Sequence, residues 1–445
     1  MQGQAPRRAR GQARDRGRAV VVGVAAAVLL AGCTSPGTLS GAGGAGSAGA
    51  GPASASAEAP TAGPSSAASA VTPAAPTTTA GSSTPAAPTS GSPTPPPPAP
   101  PAGVTVVPAD AAQGVGPLDP ITVTPVGGIL QTVTLTNASG VDIQGALAAD
   151  GSGWSVVPEL GYGKTYTVTA TAVNAQGAPT TTTTSFTTLT PDERTAASTY
   201  PSDGMQVGVG QPLVIVFDEP IVDRVAAQQA ITVTTTPAQA GAFRWVSDTE
   251  LRWRPAEFWQ AGTTVQVDGL IYGRALGGGM YGQEDLHSSF TIGRSLISEV
   301  DDTTKQMTVT QDGQVVRTMP VSLGRDKYPT YNGVHVVAEK YEMKIMDSST
   351  WGLTGTGAYR TEVQWATRIS NSGEFVHAAP WSVEQQGFTN VSHGCVNLST
   401  ENARWFYDTV LPGDPVIIRN TVGPALESWD GYGDWQIPFE EYSAA

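Results

Sequence analysis

The residue types best suited to covalent chemistry lie close together near the C-terminus. Cys395 stands in the segment Ser392-His393-Gly394-Cys395-Val396-Asn397, and His377 precedes it by 18 residues. The chain has only four histidines and two cysteines, so this grouping is a marked concentration. A thiolate is the attacking species, a free cysteine has a pKa near ~8.5, and an imidazole within hydrogen-bond reach can accept its proton. The grouping indicates nucleophilic cysteine catalysis of acyl transfer.

Cys395 has two other interpretations, an inert buried thiol and a zinc ligand. A free cysteine is often an inert small hydrophobe, but its neighbours Ser392, Gly394 and Asn397 are polar or turn-forming and favour a loop. A zinc site normally takes three or four ligands at spacings such as Cys-x-x-Cys, whereas this region has a single thiol. The pattern therefore favours a nucleophile, and its chemistry requires neither a metal nor a cofactor.

His377, fourteen intervening residues and the segment Ser392-His393-Gly394-Cys395-Val396-Asn397 resemble the signature of the L,D-transpeptidase catalytic domain. The resemblance extends over residues 294–440. It includes the segments Ile345-Met346-Asp347-Ser348-Ser349-Thr350, Gly357-Ala358-Tyr359-Arg360-Thr361 and Asp430-Gly431-Tyr432-Gly433-Asp434-Trp435. Two immunoglobulin-like domains ahead of this region match the actinobacterial, mycobacterial-type members of the family.

The resemblance implies a role for each catalytic residue. It implies that Cys395 is the nucleophile and that His377 is its base and acid partner, oriented by a backbone carbonyl such as that of Ala378. It implies that His393 positions or polarises the substrate. We expect the amides of His393, Gly394 and Cys395 to form the oxyanion hole, because successive backbone donors aimed at one point stabilise a tetrahedral oxyanion.

Further residues match family positions that line the substrate cleft. These predicted substrate-binding residues are Met346, Tyr359, Trp381, Ser392 and Asn397. Trp351 departs from the mycobacterial-type pattern, which usually has tyrosine there, and this puts in doubt any contact that needs a hydroxyl. His287 and His335 lie in strand-like stretches, and we predict that they are structural.

The function implied by the resemblance is peptidoglycan cross-linking in cell wall biogenesis. Cys395 would attack the meso-diaminopimelate carbonyl of a tetrapeptide stem and release D-alanine. The diaminopimelate side-chain amine of a second stem would then resolve the thioester into a 3→3 cross-link. Inhibition by carbapenems is likewise implied. Two alternatives stay open: a cysteine L,D-carboxypeptidase or endopeptidase acting on wall peptides, and a non-catalytic wall-binding lipoprotein.

Residues 1–33 have the pattern of an export signal. An arginine-rich start precedes the apolar run Ala19 to Leu30, which is shorter than the ~20 residues of a membrane span. The run ends in Leu30-Ala31-Gly32-Cys33, which resembles the lipobox of bacterial lipoproteins; a plain secretory signal is the alternative. We expect a protein anchored through a lipid on Cys33 to the outer face of the cell membrane, facing the wall. The net charge of −14 argues against nucleic acid as a partner.

Composition and periodicity divide the rest of the chain into four parts. Residues 34–102 are rich in Ala, Gly, Ser, Thr and Pro and form a predicted disordered linker. Residues 103–189 and 190–293 alternate polar and apolar residues and repeat at roughly 100 residues, which indicates two immunoglobulin-like β-sandwiches. Residues 294–420 are the predicted catalytic domain. The resemblance implies that the tail, 421–445, packs on the catalytic and second immunoglobulin-like domains.

The predicted fold class is mainly β, with the two sandwiches followed by a mainly-β catalytic domain. Asp312-Gly313 lies between two alternating runs and predicts a hairpin. Ser399 to Val410 is the clearest helical pattern, beginning just after the catalytic loop. Whether this helix directs its N-terminus toward the thiolate is left open by the sequence.

Overall fold

The strands of residues 103–188 form a two-sheet sandwich. The computed structural model describes residues 97–444, without the side chain of Trp351; the predicted signal segment, Cys33 and the linker up to residue 96 lie outside them. The strands are β1 (Gly103–Val107), β2 (Ala112–Val115), β3 (Ile121–Val126), β4 (Ile129–Asn137), β5 (Ala146–Leu147), β6 (Trp154–Val156), β7 (Thr165–Val173) and β8 (Pro179–Thr188). One sheet has the order β1-β3-β6-β5 and the other β2-β8-β7-β4.

Alternation of side chains explains how this sandwich closes. Tyr166, Val168, Ala170 and Ala172 of β7 are buried, while the intervening residues are less so. The sandwich also includes residues 100–102, which the linker prediction counted as disordered. Asn174 Nδ2 donates to the carbonyl of Pro100 over 3.1 Å, and Ala102 is 2% exposed. The linker therefore ends earlier than residue 102, because its last residues supply a backbone acceptor and an apolar contact.

A second sandwich follows with a similar plan. It contains β9 (Glu193–Thr195), β10 (Ala197–Tyr200), β11 (Gln206–Val207), β12 (Leu213–Phe217), α1 (Arg224–Gln229), β13 (Ile231–Thr236), β14 (Gly241–Trp245), β15 (Glu250–Pro255), β16 (Thr264–Gly269), β17 (Met280–Gly282) and β18 (Leu286–Ile292). The main sheets have the orders β10-β12-β15-β14 and β11-β18-β16-β13, and β9 pairs with β17. Trp253 and Trp259 are buried and stack in the core, with Trp245 packed against it.

Residues 296–419 build the third β unit from two further sheets. The elements are β19 (Leu296–Asp301), β20 (Gln306–Gln311), β21 (Gln314–Pro320), β22 (Gly333–Val336), β23 (Glu339–Asp347), β24 (Arg360–Arg368), β25 (Phe375–Ala378), β26 (Val396–Leu398), α2 (Thr400–Thr409) and β27 (Pro415–Arg419). Short 3₁₀ turns cover Ser348–Trp351 and Pro380–Ser382. The sheet orders are β21-β20-β19-β27-β22 and β23-β24-β25-β26.

The predicted hairpin and the predicted helix are both present. β20 and β21 pair through a turn in which Asp312 and Gly313 both have positive φ, 49° and 80°, as a two-residue hairpin requires. In α2, the Ser399 hydroxyl caps the N-terminus by accepting the amide of Asn402 over 3.2 Å. Within residues 97–444, no helix is long and apolar enough to cross a bilayer.

β25 and β26 give one sheet face to the core and the other to a cleft. The core residues are Val376, Ala378, Val396 and Leu398, which pack with Ala403 and Phe406 of α2. His377, Cys395 and Asn397 alternate with them and face the cleft on the opposite side. The helix therefore packs on the core face of the sheet, opposite the cleft that contains Cys395.

The C-terminal residues lie between the catalytic unit and the second sandwich. They include a 3₁₀ turn, Gly433–Gln436, and α3 (Phe439–Ser443). Asp434 pairs with Arg252 of β15 at 2.6 Å, and both side chains are buried. On the other side, the side-chain amide of Gln436 donates to the carbonyl of Val334 over 2.7 Å. The tail thus joins the two units through polar contacts.

We expect Asp434→Ala to lower the free energy of unfolding by about 3 kcal/mol, because it removes a carboxylate partner from the buried guanidinium of Arg252. Urea denaturation followed by tryptophan fluorescence measures the change. Glu401→Ala is the matched control, since Glu401 pairs with Arg317 but has a side chain 87% exposed. Equal losses in the two variants would contradict the prediction.

Candidate active site

A cleft of about 190 Å³ opens on the outer face of β24, β25 and β26. Its lining residues are Met346, Tyr359, Thr361, Val363, His377, Trp381, Val391, Ser392, His393, Cys395 and Asn397. All the predicted catalytic and substrate-binding residues except Gly394 line this cleft, and Gly394 lines an adjoining cavity. The predicted lipidation site, Cys33, lies outside the described residues.

Cys395 sits at the entrance to β26, where the chain leaves its loop. Its sulfur lies 3.9 Å from the carbonyl of Gly373 and accepts the amide of Phe375. Burial raises the pKa of the thiol to about 12, and the negative charge of Glu374 acts in the same direction. Cys395 is the one free cysteine among the described residues, and the raised pKa favours its protonated form at neutral pH.

His377 stands beside this segment because β25 and β26 run parallel in a fixed register. Val376 pairs with Val396, and His377 pairs with Asn397. His377 Nδ1 lies 2.9 Å from the carbonyl of Ala378, the orienting acceptor that was predicted. A carbonyl only accepts, so Nδ1 carries the proton and Nε2 keeps its lone pair. Burial lowers the pKa of His377 to about 4, so the ring is neutral.

The cleft therefore holds a thiol and an imidazole that are both neutral. An uncharged Nε2 can accept the proton of Cys395 as the sulfur attacks a carbonyl and can return it to a leaving amine. Across residues 97–444, no three His, Cys, Asp or Glu side chains are grouped so that they could hold a metal ion. The geometry supports acyl transfer through a proton shuttled by one imidazole.

His393 has different surroundings from His377. The guanidinium of Arg325 donates to its Nε2, and its ring packs between Tyr328 and Tyr359 at centroid distances of 5.0 and 4.7 Å. Burial and the positive charges of Arg325 and Lys327 lower the pKa of His393. The ring is neutral with its proton on Nδ1, so it can donate to a substrate but cannot use Nε2 as a base.

The hydrogen bonds of the loop show how the amide of Gly394, one of the expected oxyanion-hole donors, is used in this structure. The amide of Gly394 donates to Ser392 Oγ over 3.1 Å, and that hydroxyl donates to the carbonyl of Cys395 over 2.6 Å. The Gly394 amide is thus already bonded within the loop, and its place in the oxyanion hole stays a prediction. The amides of His393 and Cys395 remain as candidates. Ser392 therefore shapes the loop. Its two hydrogen bonds explain why this polar side chain is buried.

Some of the predicted substrate-binding residues are exposed in the cleft, and others are buried. Trp381 is 57% exposed and lies above His377, with ring centroids 6.2 Å apart, while Met346 and Tyr359 form the opposite wall. Asn397 is buried and donates to Ser382 Oγ over 3.1 Å, so its amide supports the wall of the cleft. The role of Trp351 stays a prediction, because its side chain is not among those described.

Sequence reasoning missed three residues around the site. Arg325 fixes His393, and Glu374 lies behind Cys395. His335, predicted to be structural, is fully buried and pairs with Glu374. Nothing in the local sequence signals these contacts, since the partners are 39 to 68 residues apart. His287, also predicted to be structural, forms a surface pair with Asp268 at 2.8 Å.

We expect iodoacetamide to alkylate Cys395 slowly at neutral pH, at a rate that still increases at pH 10. Only the thiolate reacts, and the raised pKa places its formation above this window. Mass spectrometry of the peptide carrying Cys395 measures the rate without interference from Cys33. His393→Ala should keep this profile, because Arg325 and not the thiol engages its Nε2. A rate that levels off near pH 7 would instead show that a thiolate forms at rest.

Comparisons with known proteins agree with this site. Residues 296–418 match the L,D-transpeptidase catalytic domain, and residues 112–275 match a bacterial Ig domain. The chain is 49% identical over 327 residues to L,D-transpeptidase 2 of Mycobacterium tuberculosis (strain CDC 1551 / Oshkosh), covering 73% of this chain and 80% of the relative. It is 37% identical over 336 residues to L,D-transpeptidase 5 of Mycobacterium tuberculosis (strain ATCC 25618 / H37Rv), covering 74% and 73%.

Among solved structures, an L,D-transpeptidase in complex with imipenem is similar to half of the chain. It is 38% identical, covers 50% of this chain and 97% of its own, and has a TM-score of 0.45. The sequence relatives decide the assignment, since they extend across the immunoglobulin-like and catalytic regions together. With the catalytic-domain match over the thiol and both cleft histidines, they show that the chain is an enzyme of the L,D-transpeptidase family.

Proposed function

We propose that the protein cross-links peptidoglycan by forming 3→3 bonds between meso-diaminopimelate residues of stem peptides. The observation that carries this proposal is the placement of Cys395 and a neutral His377, with Nδ1 fixed on Ala378, in one open cleft. Membership of the family supplies the class of substrate. Transfer between two stems can proceed through a covalent intermediate, and a thiol is the nucleophile that the cleft provides.

In the first step, Cys395 Sγ attacks the diaminopimelate carbonyl of a tetrapeptide stem while its proton moves to His377 Nε2. The amides of His393 and Cys395 are the candidates to stabilise the oxyanion. The bond to D-alanine breaks, and the proton on His377 passes to the departing amine. A thioester on Cys395 and free D-alanine result.

In the second step, the side-chain amine of diaminopimelate in another stem attacks the thioester. His377 accepts a proton from this amine, a new amide bond forms, and the C–S bond breaks. The proton returns to sulfur, and the thiol is restored. His393, held by Arg325, donates from Nδ1 and positions the peptide, while Met346, Tyr359 and Trp381 contact it. Atoms balance without any metal or cofactor.

We expect Cys395→Ser to reduce cross-linking more than a hundredfold with the fold intact, because a hydroxyl is far less acidic than a thiol. The assay incubates the full chain with disaccharide-tetrapeptide and resolves products by mass. A cross-linked dimer supports the transferase, tripeptide alone indicates a peptidase, and unchanged substrate indicates a binding module. Residual activity above about one hundredth in Cys395→Ser would contradict the nucleophile assignment.

We also propose that carbapenems inhibit the enzyme by acylating Cys395. The strained lactam carbonyl is attacked as the stem carbonyl would be, the lactam C–N bond opens, and the product stays bound as a thioester. Mass spectrometry of the intact protein after incubation with imipenem tests this step. The adduct should form on the wild type and be absent from Cys395→Ser.

We further propose that the protein is exported and anchored through Cys33 to the outer face of the membrane. The proposal depends on the apolar run before Cys33 and the lipobox-like tetrapeptide. We expect Cys33→Ala to release the protein from membranes, since two or more acyl chains anchor stably at ~0.8 kcal/mol per buried CH₂. Fractionation after a salt wash measures it, and a variant that still sediments with membranes would contradict the lipid anchor.

A further inference from the structure

A buried carboxylate and a buried imidazole lie directly behind the catalytic segment and take no part in the proposed reaction. Glu374 is 6% exposed, and His335 is fully buried. His335 Nε2 lies 2.8 Å from Glu374 Oε2, which joins β22 of one sheet to the residue preceding β25 of the other. Burying a charged group is costly unless it is paired. The Glu374–His335 pair therefore places a buried carboxylate beside the catalytic segment.

Glu374 supports the catalytic loop through a short series of hydrogen bonds. Its Oε1 accepts the amide of Tyr331 over 2.9 Å. The neighbouring Thr330 hydroxyl donates to the carbonyl of Gly394 over 2.7 Å, and both groups are buried. Glu374 also packs under Gly394 itself, because a Cβ on that residue would lie 3.8 Å from its Cγ and Oε1. Glu374 thus packs against Gly394 directly and bonds the backbone next to Thr330, which holds the Gly394 carbonyl.

The residues on either side of Glu374 contact the sulfur of Cys395. The carbonyl of Gly373 lies 3.9 Å from Sγ, and the amide of Phe375 donates to it. A displacement of Glu374 would therefore shift both groups that surround the thiol. Its charge acts on the same atom, since the Glu374 carboxylate raises the pKa of Cys395.

We propose that Glu374, held by His335, is a positioning residue that fixes the Gly394–Cys395 segment and places a negative charge close to the sulfur. The inference builds on Cys395 as the nucleophile of the proposed function. Burial is the larger cause that opposes thiolate formation, and the Glu374 carboxylate adds to it. His335 contributes by fixing the carboxylate, with its Nδ1 facing the carbonyl of Gly333 at 3.3 Å.

Other charged side chains near the Glu374–His335 pair are Lys327, Asp430 and Arg368. Lys327 lines the adjoining cavity together with Glu374. Asp430 accepts the amides of Asn371 and Ser372 in the turn before Glu374. Arg368 of β24 pairs with Glu339 of β23 and is therefore compensated. Among these groups, Glu374 is the one that the structure couples to the sulfur of Cys395 by charge.

Two substitutions of Glu374 separate the effect of its charge from the effect of its side-chain length. Glu374→Gln keeps the shape and an acceptor for the amide of Tyr331 but removes the charge. We expect it to shift the pH profile of iodoacetamide labelling of Cys395 downward by about one pH unit, the effect of a unit charge within ~10 Å at an effective dielectric of ~20. Glu374→Asp keeps the charge but is too short to hold Tyr331 and His335 together. It should keep the labelling profile and lower kcat for cross-linking about tenfold, with KM nearly unchanged.

Glu339→Gln is the matched control, because Glu339 lies in the same sheet but does not act on Cys395. Its labelling profile and kcat should equal those of the wild type. Labelling is measured on the full chain, by mass spectrometry of the peptide carrying Cys395, and needs no cell-wall substrate. The proposal can therefore fail independently of the proposed function. An unshifted profile in folded Glu374→Gln overturns the charge role. If that variant does not fold, wild-type kcat in Glu374→Asp overturns the positioning role.

Discussion

The site depends on the short parallel pairing between β25 and β26. The pairing fixes His377 next to Asn397 in register, and Cys395 precedes β26 on the same face. A shift of one residue would turn every side chain of β26 to the other face, so Cys395 would enter the core and Val396 the cleft. The apolar residues Val376, Ala378, Val396 and Leu398 prevent this shift, because they are buried against α2. Packing behind the sheet therefore decides the chemistry in front of it.

Burial in the cleft also keeps the two catalytic side chains, Cys395 and His377, neutral. The cleft raises the pKa of Cys395 and lowers that of His377, so the resting state is thiol and imidazole rather than thiolate and imidazolium. Catalysis then depends on proton transfer during attack. A protonated thiol is also less susceptible to oxidation, because oxidation follows thiolate character and exposure. This property suits the proposed location outside the cytoplasm, where a lone reactive thiol is a liability.

The sequence predicted the elements that have local signals. Asp312-Gly313 determines a hairpin through backbone conformation, Ser399 caps a helix, and alternation along β7 produces a half-buried strand. The grouping of Cys395 with two histidines likewise predicted which side chains line the cleft. Tertiary contacts could not be predicted from the sequence in this way. The position of α2 behind the sheet, the use of the Gly394 amide by Ser392 and the pairing of Glu374 with His335 depend on the folded arrangement, which no local pattern encodes.

The contacts of the second sandwich make it part of the body that carries the site. Arg252 pairs with Asp434, and Trp435 donates to the carbonyl of Gly210 over 2.7 Å. The same C-terminal segment holds the turn before β25, where Asp430 accepts two successive amides. That turn leads directly into Glu374 and then into the residues around the sulfur of Cys395. The orientation of the cleft is therefore fixed relative to the second sandwich.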